Sequence, residues 1–266
     1  MLHTARPLYQ SNLLQFGVRA WFLAAMLGQG AFIVFILWFF GGHLAGGDLA
    51  GLNAKPHITG YVPGDLAGNL QFVGHALAGA LVTLSGAWQL VPTLRRRWPR
   101  VHRWNGRVFL AVAVLATLSG FSLTWVRGSQ LGTGSTLSIS LNGLLILGFA
   151  WAAWRSAVRR DFGAHRRHAM RTWLLVNGVW FLRIGIMLAG LLLAPLGIKI
   201  DYTGVVFIGV SFASWLLPLA LLELYLRAER AAPAARRAVG ALLVAMALLT
   251  LAGSAAAVAF MWWPYL

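Results

Sequence analysis

The sequence predicts an all-α integral membrane protein, a bundle of about seven transmembrane helices with a cytoplasmic N-terminus and an outside C-terminus. Composition is the first reason: 59% of the 266 residues are hydrophobic and only 11% are charged, whereas soluble domains carry about a quarter charged residues. The charges are also segregated, which leaves apolar stretches of roughly twenty residues that can each cross a bilayer as a helix. The mean hydropathy of +0.72 agrees with this class.

Seven apolar stretches follow one another along the chain. Helix is the expected state, because lipid cannot satisfy an open sheet edge and no alternating barrel pattern occurs. The first stretch begins after Arg19 and ends in aromatic residues, which favours an uncleaved span over a signal peptide. Pro218 predicts a kink in the sixth. The predicted spans, within a single transmembrane domain over residues 1–266, are 18–40, 69–92, 104–126, 135–157, 169–194, 203–226 and 238–262.

Lys and Arg are divided very unequally between the two sides of the predicted membrane. With the N-terminus inside, most of the 22 basic residues fall in cytoplasmic segments, as the positive-inside rule requires. The exceptions are Lys55, Arg127 and Lys199 in outer loops and Arg183 within the fifth span. The chain is therefore predicted to be a multi-pass protein of the bacterial cytoplasmic (inner) membrane.

The net charge of +16 is explained by these topogenic segments, whose partners are the lipid bilayer and its anionic head groups. Nucleic acid is not an expected partner, because no basic globular domain accompanies the charge. The chain has no cysteine, which excludes disulfides, iron–sulfur clusters and thiolate metal ligands.

Polar residues recur at helical spacing on one face of three predicted spans. Ionisable groups inside a membrane are costly, and they usually face a bundle interior, a cavity or a cofactor. Glycines on the same faces allow close helix packing and equally leave room for a flat macrocycle. The three faces are His75, Gly79, Gly86 and Gln89; His102, Gly106 and Thr117; and His165, His168, Thr172 and Arg183.

Three of these histidines lie near the predicted cytoplasmic face, because His102 begins the third span and His165 and His168 begin the fifth. Two histidines from different helices can ligate a haem iron from opposite sides, and nearby arginines can bind its propionates. His102 with His165 or His168 is therefore a candidate haem site. A zinc site is the weaker alternative, since only Asp161 could add a carboxylate.

A second candidate site lies toward the outside, where His75 and Arg183 fall at similar depth. As a haem ligand, His75 would need a partner such as His43, His57 or Met187, because the fourth span contains no histidine. The alternatives are a structural polar contact between His75 and Arg183, or a substrate cavity. At the cytoplasmic face, the alternative is that the histidines are simple interfacial groups and that Glu223 neutralises a neighbouring arginine.

Two groups of residues resemble a known bacterial pattern. The first runs from His75 through Gly79, Gly86 and Gln89 to His102, Arg103, Trp104, Gly106 and Arg107, and the second is Arg160, Asp161, His165, Arg166, Met170, Arg171 and Arg183. Together they resemble the membrane family catalogued as domain of unknown function 2306, over residues 69–190. The resemblance implies a multi-spanning membrane protein and no particular activity. The architecture alone is similar to b561-type cytochromes, whose four-helix cores hold haem between histidines.

Three functions are compatible with these features. The first is a membrane oxidoreductase or electron conduit with haem b, exchanging electrons with quinone. In it His102, His165 and His75 are ligands, and Arg103, Arg107, Arg171 and Arg183 hold carboxylates. The second is a transporter for a small anionic or amphipathic solute, with Arg183 and His75 at its centre and Gln89 and Asn142 as hydrogen-bonding neighbours. The third is a non-catalytic assembly or lipid-binding protein.

Overall fold

The computed structural model describes residues 12–55, 59–129 and 132–266, and these parts of the chain are helical without any strand. Seven of the helical segments are long and apolar enough to cross a membrane, which confirms the predicted class. The helices are α1 (Asn12–Ile36), α2 (Leu66–Gln89), α3 (Pro92–Arg97), α4 (Pro99–Phe121), α5 (Thr133–Val158), α6 (Phe162–Val176), α7 (Gly178–Leu193), α8 (Val205–Ala228) and α9 (Pro233–Ala257).

The helices form a closed bundle whose order differs from the order in sequence. Around it, α1 packs on α2, α2 on α4, α4 on α5, α5 on α8, α8 on α7, α7 on α9, and α9 back on α1. The alternation of spans brings most arginines to one end, here called the arginine-rich end. The other end, which carries the long connection before α2, is called the loop end. The side of the membrane that each end faces stays a prediction from the charge asymmetry.

The predicted fifth span, 169–194, is wrong as a single helix. It is two helices, because α6 ends at Val176 and α7 begins at Gly178, with Asn177 between them. The side chain of Asn177 donates to the carbonyl of Trp173 (2.7 Å), and Asn142 of α5 donates to the carbonyl of Leu175 (3.1 Å). These amides satisfy carbonyls that the break leaves without helical partners.

Three spans end in a π-helical turn at the loop end. The turns are Leu37–Gly41 after α1, Ser122–Val126 after α4 and Val258–Trp262 after α9. A π-turn adds one residue to the helical repeat and redirects the side chains that follow it. In this bundle the turns after α1 and α9 bring Phe39, Phe40 and Trp262 into one buried aromatic cluster.

The tightest helix contact joins α1 to α9 near the arginine-rich end. A Cβ built on Gly17 would lie 2.5 Å from the carbonyl oxygen of Gly240, and one built on Gly240 would lie 2.8 Å from backbone atoms of Leu13 and Leu14. Only glycine permits this backbone approach, which is the small-residue packing common between membrane helices. At the same end, α6 is joined to α8 by the ion pairs Arg166–Glu229 and Arg171–Glu223.

Candidate functional site

Basic side chains from three parts of the chain meet in the loop-end half of the bundle. Arg183 projects from the second turn of α7, and its guanidinium lies 5.0 Å from the centre of the Phe32 ring of α1. It acts electrostatically on both His75 of α2 and Lys55 of the long loop. The ring of His75 lies against Gly120 of α4, where a Cβ would be 3.2 Å away. The structure thus brings the predicted pair His75 and Arg183 together.

Lys55 joins this site from the loop, and the sequence did not single it out. Its side chain is only 7% exposed. The ammonium donates to the carbonyl of Met261 and lies 4.5 Å from the ring centre of Tyr265. Burial, reinforced by the charge of Arg183, lowers the pKa of Lys55 to about 8. Nothing in its sequence context, a glycine-rich loop, distinguishes it from a solvated lysine.

No carboxylate of the described residues neutralises these three basic groups. All six acidic residues are described, and each is engaged elsewhere: Asp48 with His43, Asp65 with Arg127, Glu223 with Arg171, Glu229 with Arg166, Asp161 with the Ala164 amide and Asp201 with Thr203. Of the three groups, Arg183 and Lys55 are the cations, and burying a cation without a counter-charge is costly. The site is therefore electrostatically complementary to an anion.

Open space adjoins the basic groups in the bundle interior. A Cβ built on Gly79, one turn from His75 on α2, meets no heavy atom of the described residues within 4 Å. Ile139 of α5 is 46% exposed and Val179 of α7 is 48% exposed, although both lie on inward faces. Their same-face neighbours are buried: Ser135 and Gly143 for Ile139, and Ile186 for Val179. From these observations we infer an open space inside the bundle bounded by Gly79, Ile139, Val179 and Arg183, and we call it the central cavity.

The break in the fifth span directly precedes Val179, one of the residues that bound the inferred cavity. The Thr83 hydroxyl of α2 donates to the Asn177 side-chain oxygen at 3.1 Å, which ties the break to the opposite wall. Helix α7 begins here, so its positive dipole end lies within the membrane and next to Val179. The side-chain oxygen of Asn142 is buried without a partner among the described residues. Asn142 is therefore a hydrogen-bonding neighbour of this region, as the sequence suggested.

Gln89 was expected beside Arg183, and this expectation is wrong. Its amide donates to the carbonyl of His102 at 3.1 Å and fills the space beside Gly106. The reason is length, because Gln89 ends α2 at the arginine-rich end while His75 lies fourteen residues earlier, about 21 Å along a helix. The face of α2 that carries both residues therefore contributes His75 to the loop-end half of the bundle and Gln89 to the arginine-rich end.

The arginine-rich end brings together a second predicted pair, His102 of α4 and His165 of α6, which influence each other electrostatically. Nδ1 of His165 lies 2.9 Å from the carbonyl oxygen of Ala153. Nδ1 of His102 is buried without a partner among the described residues. His168 is half-buried, because α6 packs on α5 and stacks the His168 ring on Phe149.

The residues around this histidine pair are closely packed. A Cβ on Gly86 would lie 2.6 Å from the ring of Trp173 and 2.8 Å from that of Phe109. Arg171, predicted to hold a carboxylate, binds Glu223 through two contacts of 2.7 and 3.0 Å. Arg103 and Arg107 are exposed, and Arg107 lies over the Trp104 ring. In the described part of the chain, no cluster of three metal-binding side chains occurs.

The residues proposed to partner His75 as haem ligands are dispersed. His43 lies in the short helix Gly42–Ala45 that continues the first span, where its Nδ1 is 3.3 Å from Asp48 and its ring packs on Phe39. Met187 packs against the hydrophobic core one turn beyond Arg183. His57 lies outside the described residues. Arg183, rather than a second ligand, is the group that the structure places near His75.

The family model described as a predicted membrane protein (DUF2306) matches residues 72–226. The chain belongs to this family. The match extends beyond the resembling region 69–190 to include α8. Neither a curated protein nor a solved structure matches the chain.

The DUF2306 region supplies most of the central cavity. His75, Gly79, Ile139, Val179 and Arg183 all fall within it. Helix α1 with Phe32, the loop with Lys55, and α9 lie outside the matched residues. The DUF2306 helices therefore build the walls, and the flanking segments add an aromatic surface and one amine.

Proposed function

We propose that this DUF2306 protein binds a small anionic or amphipathic solute in the central cavity and carries it across the membrane. The observation that supports the proposal is the convergence of Arg183, His75 and Lys55 beside the inferred cavity, with each of the six Asp and Glu side chains engaged elsewhere. A bound anion would replace the missing counter-charge. Because buried ions need both pairing and hydrogen bonds, the anion also supplies acceptors to the guanidinium.

The residues around the inferred cavity indicate which kind of solute would fit it. Its anionic group would lie between Arg183 and the N-terminus of α7, since both favour negative charge. Its apolar part would lie against Gly79, Ile139 and Val179, which present only aliphatic surface. A carboxylate or phosphate ester on a short hydrocarbon body satisfies both requirements.

The interrupted fifth span favours a carrier over a scaffold. Transporters often place their substrate site near the bilayer midplane, where a broken helix directs its N-terminus at an anionic group. In this chain the break at Asn177 puts the N-terminus of α7 inside a predicted span, and Arg183 lies in the second turn of that helix. A scaffold has no comparable need for a broken helix beside an unpaired arginine.

A cavity-filling substitution tests the proposal. Gly79→Leu should extend into the central cavity, because no described atom lies within 4 Å of its Cβ position. Gly74→Leu is the matched control, since Gly74 is equally open but lies on the exposed face of α2. We expect octanoate and octyl phosphate, but not octanol, to raise the melting temperature of the purified protein and of Gly74→Leu. Gly79→Leu should lose this response.

Tryptophan fluorescence of the 13 native tryptophans follows melting, and solute uptake into proteoliposomes measures transport separately. Failure of every anion to stabilise the wild type, or an undiminished response in Gly79→Leu, would overturn the binding site. Stabilisation without uptake would refute the carrier function and leave a solute-binding protein.

A second candidate function is electron transfer through haem b held by His102 and His165, with quinone as the exchange partner. It is favoured by the hydrogen-bond geometry of His165. If Nδ1–H donates to the Ala153 carbonyl, Nε2 carries the lone pair that a haem iron requires. The unpartnered Nδ1 of His102 leaves that ring equally available. The close packing around Gly86 means that Trp173 and Phe109 would have to move to admit the macrocycle.

Absorption spectra of the oxidised and dithionite-reduced protein, with pyridine haemochrome quantitation, test this second function. His102→Ala and His165→Ala should each remove the same haem signal, because each would delete one axial ligand. His168→Ala is the control and should retain most of the signal, since its ring stacks on Phe149. A colourless wild-type preparation from haem-replete cells would eliminate haem b as a cofactor.

A further inference from the structure

The exposed face of α5 at its arginine-rich end carries a shallow, open depression, here called the groove, whose residues all belong to this one helix. Its volume is about 250 Å³, and it is formed by Trp151, Trp154, Arg155, Val158 and Arg159. The two tryptophans and Val158 are exposed, and they share one face of the helix at spacings of three and four residues. The groove is thus apolar toward the membrane centre and basic toward the helix end.

The charges of this groove are unpaired. The side chain of Arg155 is exposed, and its guanidinium lies 5.0 Å from the centre of the Trp151 ring. Neither Arg155 nor Arg159 forms an ion pair in the described part of the chain. A cation placed over an indole at a membrane surface is a site for a negative group that lies between lipid and water.

Arg160 adds a third positive charge at an unusual position. It follows the end of α5 with a φ of +61°, and the amide of Asp161 closes the turn by donating to the carbonyl of Ser156 (3.0 Å). Glycine is the usual residue at this left-handed position, and any other residue there is strained. An arginine in that place concentrates charge beside the groove at a cost to local stability.

We propose that this groove binds one anionic phospholipid, with the lipid phosphate between Arg155 and Arg159 and an acyl chain along Trp151 and Val158. Charge complementarity identifies the occupant, because the groove joins two unpaired guanidinium groups to an apolar wall that faces the hydrocarbon. A zwitterionic lipid carries its own cation next to the phosphate and is a poorer match. The site is independent of the central cavity, and its occupant is a resident lipid rather than a transported solute.

The test measures lipid retention on the purified full-length protein by native mass spectrometry. Protein in mixed micelles is titrated with phosphatidylglycerol or with phosphatidylcholine of the same acyl chains. We expect one phosphatidylglycerol to bind with at least a tenfold preference over phosphatidylcholine. The double substitution Arg155→Gln with Arg159→Gln should weaken that binding at least tenfold. The control Arg95→Gln with Arg96→Gln removes two charges at the same end, outside the groove, and should leave the binding unchanged.

Three results would overturn the proposal. The first is equal retention of the two lipids by the wild type. The second is an equal loss of phosphatidylglycerol in the control and in the groove variant, since this would assign the preference to general charge. The third is displacement of the lipid by millimolar inorganic phosphate, which would show that the groove recognises the phosphate alone. All four substituted arginines are on exposed helix ends, so folding is not expected to limit the comparison.

Discussion

Replacing Arg183 with methionine is expected to abolish the response to anions and, at the same time, to stabilise the ligand-free protein. The first effect follows because the variant lacks the central charged donor of the site, and hydrogen bonds to charged groups contribute about 1.5–3 kcal/mol, roughly a 10- to 100-fold change in affinity. The second follows because an unpaired cation is removed from beside Lys55 and His75. The melting temperature without ligand should rise by about 2–4 °C per kcal/mol recovered.

Arg127 is the matched control for this prediction. It also lies in the loop-end half, but its guanidinium binds Asp65 at 3.1 Å and Asn69. Arg127→Met leaves that carboxylate unpaired, so it should lower the melting temperature while the anion response persists. A stabilised Arg183→Met that still responds to anions would show that the unpaired charge is not part of the solute site. A destabilised Arg183→Met would show that the charge is compensated in the native bundle.

Gly17→Ala and Gly240→Ala are expected to be the most destabilising small substitutions in the chain. Each added methyl group would meet backbone atoms of the facing helix, at 2.5 Å for Gly17 and 2.8 Å for Gly240. Backbone atoms cannot move aside as a side chain can, so α1 and α9 must separate. Overpacking of this kind costs about 1–3 kcal/mol. Thermal melting monitored by size-exclusion chromatography should show the loss for both variants.

Gly30→Ala provides the comparison, because Gly30 lies on the same helix and its Cβ position is open to 4 Å. That substitution should be neutral or slightly stabilising, since alanine favours the helix by about 1 kcal/mol over glycine. Similar melting temperatures for all three variants would mean that the α1–α9 contact is looser than described.

The number and composition of the spans were predictable because every helix that crosses the hydrocarbon core of a bilayer must be long and apolar. The interruption of the fifth span was missed, although Asn177-Gly178 is a turn-forming dipeptide and was a usable signal. Hydropathy hides such a break, since Val176 and Val179 continue the apolar stretch on both sides. The proximity of His75 and Arg183 could be predicted because the two residues lie at similar depth in their predicted spans. The buried position of Lys55 could not be predicted, because this loop residue is buried through tertiary contacts with Met261 and Tyr265.

The separation of all six carboxylates from the central cavity has an electrical consequence for a carrier. The cavity holds its largest net positive charge when it is empty, and a bound anion removes part of that charge. Each elementary charge that crosses the membrane field changes the free energy by about 2.3 kcal/mol per 100 mV. The membrane potential would therefore act most strongly on the return of the empty protein. Voltage, rather than solute supply, would then set the cycling rate once the solute is saturating.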